Sequence, residues 1–108
     1  MRKLVTFKRY FLDFYENLEE KAQEKVDYAL MLLKTQNRVS VRFVKHLEEG
    51  IYELRAVYGP NTYRLLFFFD EGNIVVLLNV FQKKTRKTPR AEIALAKRLK
   101  TEYYESKQ

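Results

Sequence analysis

Apolar and polar positions along the chain fall into two periods. Residues 2–7, Arg-Lys-Leu-Val-Thr-Phe, read as a short strand. Tyr10, Phe11, Phe14, Tyr15 and Leu18 then recur every three or four positions, one face of a helix. A second helix is expected from Glu19 or Glu20, with Ala22, Val26, Ala29, Leu30 and Leu33 on its apolar stripe. Glu20, Lys21, Glu24, Lys25 and Asp27 occupy its other faces, and Asn37 is a fitting stop. The two helices read as an αα-hairpin. Residues 38–49 fit neither period cleanly: Val39, Val41 and Phe43 alternate with Ser40 and Arg42, but the run ends in His46, Glu48 and Glu49.

Gly50 opens the best-defined section. Strands are expected over 51–58, 62–69 and 74–82, separated by Gly59-Pro60-Asn61 and Asp70-Glu71-Gly72-Asn73. The third is almost wholly apolar, as a strand covered on both faces should be. This meander is expected to be joined by the strand at 2–7. A basic connector, Lys83-Lys84-Thr85-Arg86-Lys87, comes next. Thr88 is placed to be an N-cap and Pro89 the first helical residue of a last helix reaching about Tyr104. Leu95, Ala96, Leu99 and Tyr103 share one face of that helix; Arg90, Ile93, Lys97, Lys100 and Tyr104 share another. The order β-α-α-β-β-β-α predicts one α+β domain over residues 1–108, with an antiparallel sheet of three to four strands.

Composition narrows the class. The 108 residues are 46% hydrophobic, with 8 Phe, 8 Tyr and no Trp, enough for an aromatic core. With 3 Gly and 2 Pro, a disordered or collagen-like chain is excluded. Cys is absent, which removes disulfides, thiolate metal sites and a Cys nucleophile and suits a reducing cytoplasm. No apolar run is long enough to span a membrane and no cleavable signal pattern is present, so a cytoplasmic protein is expected. Net charge is +7. Between Lys83 and Lys100 stand Lys83, Lys84, Arg86, Lys87, Arg90, Lys97, Arg98 and Lys100 against one acid, Glu92. Such a field attracts polyanions, nucleic acid among them; a solvated lysine-rich helix is the plainer alternative.

Strand alternation puts Glu53 and Arg55 on one face of their strand. If the Gly59-Pro60-Asn61 turn sets ordinary hairpin pairing, Arg64 joins them, and Lys83 continues the side of Phe81. That face suits a phosphodiester. Arginine binds phosphate oxygens through a planar fork and stabilises a pentacovalent transition state, lysine supplies a point charge or a proton, and tyrosine stacks or exchanges a proton. The open alternative is that Arg55 and Arg64 only pair with Glu53 and surface acids. The lone His46 excludes a two-histidine acid/base pair, and HExxH, CxxC, Walker A and GxGxxG patterns are missing. Asp13, Asp27 and Asp70 fall on separate elements or turns, so no carboxylate metal cluster is expected. Nuclease chemistry would rest on Arg, Lys, Tyr and Glu53.

Three motifs in order, Gly50-Ile51-Tyr52-Glu53-Leu54-Arg55, Tyr63-Arg64 and Phe81-Gln82-Lys83-Lys84-Thr85-Arg86-Lys87-Thr88-Pro89, lead into a basic Ala-containing helix. This half of the chain resembles toxins of the RelE/ParE superfamily, closest to the HigB-like, phage-derived branch. The resemblance implies a RelE-like fold and a type II toxin that cleaves mRNA in the ribosomal A site without metal or cofactor. In that chemistry the ribose 2′-OH attacks the adjacent phosphate, leaving a 2′,3′-cyclic phosphate and a 5′-OH. By the same resemblance, Arg64 stabilises transition-state charge and Arg55 positions phosphate or base. Lys83 and Lys84 bind substrate and ribosomal RNA, one of them donating a proton. Tyr104 would be the aromatic residue near the end of the chain, in competition with Tyr103. Arg86, Lys87, Arg90 and Lys97 extend the RNA-binding surface, and Glu53 orients Arg55. The implied partners are ribosome, mRNA and a cognate antitoxin with a helix-turn-helix DNA-binding domain. A ParE-like gyrase inhibitor and a non-enzymatic nucleic-acid-binding module remain the alternatives. Arg64→Lys separates the latter from the enzyme, because a charge-only grip would survive it.

Overall fold

The computed structural model describes residues 1–83 and 87–108. Eight elements succeed one another: β1 (Lys3–Thr6), α1 (Tyr10–Glu16), α2 (Glu20–Thr35), β2 (Val44–Glu48), β3 (Ile51–Tyr58), β4 (Asn61–Asp70), β5 (Ile74–Lys83) and α3 (Arg90–Ser106). The expected α+β architecture is present. The sheet differs from expectation: it has five strands in the order β1-β5-β4-β3-β2 and is mixed, because β1 runs parallel to β5 while the other pairs are antiparallel. The fifth strand is β2, drawn from the segment whose periodicity was ambiguous.

The sheet is covered on both faces. On one, α1 and α2 set Phe11, Val26, Ala29 and Leu33 against Leu54, Ala56, Leu65 and Phe67. On the other, α3 sets Ala96 and Leu99 against Ile51, Leu66, Phe68, Val76 and Leu78. Phe67 and Phe68, adjacent in β4, are both fully buried on opposite faces, each worth roughly 1.5–3 kcal/mol of transfer free energy. This double coverage explains the apolar runs in β4 and β5, where an exposed face would demand alternation.

Two turns set the register of the central strands. Tyr58 pairs with Asn61 across Gly59-Pro60, which sets Arg55 directly opposite Arg64 three pairs back. The β2–β3 hairpin turns on Glu49 and Gly50, both at positive φ (48° and 77°), the left-handed pair a two-residue hairpin loop requires. A Cβ on Gly50 would also sit 2.8 Å from Lys100 Nζ. A register shift between Leu65 and Phe67 in the β4–β5 ladder brings Phe81 opposite Arg64.

The start of α3 departs from expectation. Pro89 is the N-cap rather than the first helical residue, and it has no side-chain cap. The Thr88 hydroxyl instead turns into the sheet and donates to Glu53 Oε2. Among the described residues no helix is long and apolar enough to cross a membrane.

Candidate active site

The arginines reach one place because hairpin register and strand parity agree. Glu53 is fully buried on the α3 side of β3, and Arg64, 8% exposed, donates from Nη1 to Glu53 Oε1. Thr88 occupies the other carboxylate oxygen. Glu53 therefore orients Arg64, not Arg55 as the sequence suggested. Arg55 is half-buried across the ladder from Arg64. The Nε atoms of both arginines are buried without a hydrogen-bond partner among the described residues.

Lysines complete the cluster. Lys83 pairs with Thr62, two strand positions beyond Phe81 and on the same side. Burial first, and then the nearby Arg64 guanidinium, push the Lys83 ammonium below its ordinary value, while Glu53 opposes the shift. Lys45 of β2 stands opposite Glu53 in the ladder, and its charge also reaches Lys83. Sequence reasoning missed Lys45 and misassigned Thr88. Lys45 lies in the ambiguous segment, and only the β2–β3 register carries it to the site. Four cations, Lys45, Arg55, Arg64 and Lys83, thus surround one buried carboxylate.

Residues 13–101 match the family model described as phage derived protein Gp49-like (DUF891). The chain belongs to the Gp49-like family. That family is a RelE/HigB-type family associated with the toxins of toxin–antitoxin systems. No curated protein matches the chain.

The remaining sequence-predicted residues of this Gp49-like chain divide into three groups. Lys84 and Arg86 lie outside the described residues. Lys87 is exposed just before Thr88, while Arg90 and Lys97 face the acidic end of β2. Arg90 grips the Glu48 carboxylate through both Nη atoms (2.9 and 3.2 Å), and Lys97 pairs with Glu48 and Glu49. The Arg90 fork, then Lys97, hold Glu48 down at about 2. Tyr104 is not brought to the cluster. Its hydroxyl donates to Asp70 at 3.2 Å, beside Tyr103 and Lys107 on the same carboxylate at 2.8 Å each. Asp70 is six residues along β4 from Arg64, about 20 Å at a strand's rise of about 3.3 Å per residue.

Among the described residues no three His, Cys, Asp or Glu side chains are grouped to hold a metal ion. The cluster offers this Gp49-like chain a rigid guanidinium fork, a second arginine beside it and a lysine that gives up its proton more readily than a surface lysine. These groups can bind a phosphodiester, stabilise added negative charge and protonate a leaving oxygen.

Proposed function

We propose that this Gp49-like chain is the toxin of a type II toxin–antitoxin pair and that it cleaves mRNA on the ribosome, in the cytoplasm. The observation that carries the reading is the excess of cations over the Glu53 carboxylate on one sheet face. Four positive charges stand there against one negative, and the surplus draws an anion. A buried ion pair is also poor value for stability alone, since a well-packed apolar pair often does as well.

In the proposed reaction the ribose 2′-oxygen attacks phosphorus and the 5′-oxygen leaves, giving a 2′,3′-cyclic phosphate and a 5′-OH. Arg64, aimed by Glu53, meets the charge that builds on the phosphoryl oxygens. Arg55 positions the phosphate. Lys83 supplies the proton taken by the 5′-oxygen, and the 2′ proton passes to water. The ribosome would hold the substrate in line, and positioning would account for much of the rate. Lys87, with Lys84 and Arg86, would grip RNA phosphates. A cognate antitoxin carrying a helix-turn-helix domain would neutralise the chain.

The test is 5′-end mapping of a reporter mRNA in a purified translation system. Cuts that appear only during translation are expected, falling on the order of 10²-fold or more for Arg64→Lys, which keeps the charge but loses the fork. Arg55→Ala, which leaves the Glu53–Arg64 pair intact, is expected to lose cleavage while the chain still melts cooperatively. Intact mRNA with undiminished translation, or wild-type cutting by Arg64→Lys, overturns the reading. Inhibition of gyrase supercoiling in place of cutting would do so too.

A further inference from the structure

A groove of about 380 Å³ lies between the edge strand β2 and the start of α3. Its cationic lining comes from Lys45, Lys87 and Arg90, and its apolar lining from Leu47 and Ile93. Thr88 lines it as well, and the same hydroxyl bonds Glu53, so one end of the groove abuts the Glu53–Arg64 pair. Lys45 lies opposite Glu53 in the ladder. We infer that this groove binds one nucleotide of single-stranded RNA next to the cleaved bond, its phosphate on Lys45 and its base against Leu47 and Ile93.

The inference rests on the ribonuclease reading and adds a subsite to it. The volume falls in the range of roughly 300–1,000 Å³ typical of small-ligand sites. The combination is that of a nucleotide site, an apolar surface for a flat base beside cations for its phosphate. Glu48, the one acid in the lining, does not repel a phosphate at full strength. Its carboxylate is already covered by the Arg90 fork and by Lys97. The apolar surface is narrow, because Ile93 is only 6% exposed, so shape and phosphate rather than hydrophobic area would dominate. The groove borders β2, an edge strand of the sheet.

The full chain, labelled with ¹⁵N, is titrated with a 2′-O-methyl RNA tetranucleotide, which cannot be cut by 2′-oxygen attack. Saturable amide shifts are expected at residues 45–48 and 90–93. Lys45→Glu should weaken binding by about tenfold or more, and Lys25→Glu, on α2 across the sheet, should leave it unchanged. Shifts that fall elsewhere, or equal affinity for Lys45→Glu, overturn the subsite. So does tighter capture of an acidic peptide than of the oligonucleotide at the same amides, since that makes the groove a protein site. Oligonucleotide binding in the groove by a chain that never cuts mRNA during translation upholds the subsite and discards the ribonuclease. Translation-dependent cutting with no binding in the groove does the reverse.

Discussion

Thr88 shows how one hydroxyl can tie a catalytic face to the chain that closes over it. Its Oγ1 fills the last open oxygen of a fully buried carboxylate. Thr88→Val is isosteric but leaves Glu53 Oε2 desolvated and unmatched, so a loss of about 1–3 kcal/mol in urea denaturation is expected. Thr88→Ser should recover most of it. A melt of Thr88→Val that matches wild type would show that the hydroxyl contributes nothing. From sequence, a Thr before Pro reads as a helix cap. The buried carboxylate is the better acceptor, and Pro89 takes the cap position unaided. The Arg55–Arg64 juxtaposition was legible because a short turn fixes register and parity does the rest. Tyr104 was not: helical phase says which side a residue faces, while its place along the helix depends on where α3 begins. It begins so that Tyr103, Tyr104 and Lys107 close on Asp70.

At the scale of elements, α3 is bound to the β2–β3 hairpin by charge as well as by packing. Glu48 is held near 2 against an ordinary 4.5 by Arg90 and Lys97. Its folded value lies below its unfolded one. The contribution to stability is therefore complete above about 4.5 and is lost as pH falls toward 2. Amide exchange of α3 should be slower in wild type than in Glu48→Gln at pH 6, and the difference should fade by pH 2–3. A difference that persists unchanged in acid would mean that Glu48 is not the titrating group. The same scale shows what the sequence hid. β2 is a short edge strand with only partial burial, so its alternation is weak. The β1–β5 pairing joins Lys3–Thr6 to residues 74–77, and nothing in a local pattern states its partner or its parallel direction. The central meander was legible because its turns are short and its strands adjacent in sequence.

For the whole molecule, the sheet divides labour between its faces. One packs the α1–α2 hairpin in an apolar core; the other shares α3's core with the cationic cluster. The +7 net charge thus has a local address. If Lys45, Arg55, Arg64 and Lys83 each meet an RNA phosphate, binding of single-stranded RNA should fall with salt at a log–log slope of about −3. A slope near zero would assign the charge to solubility alone. The parallel pairing of β1 with β5 has a consequence for the order in which the protein comes into being. β1 must wait for β5, the last of the five strands, and α3, with Thr88 at its threshold, is made after both. A growing chain that stops short of α3 lacks the Thr88 tie to Glu53 and leaves Leu66 and Phe68 bare. On the ribonuclease reading, a fragment ending at Lys83 is expected to leave mRNA intact during translation, where the whole chain cuts it.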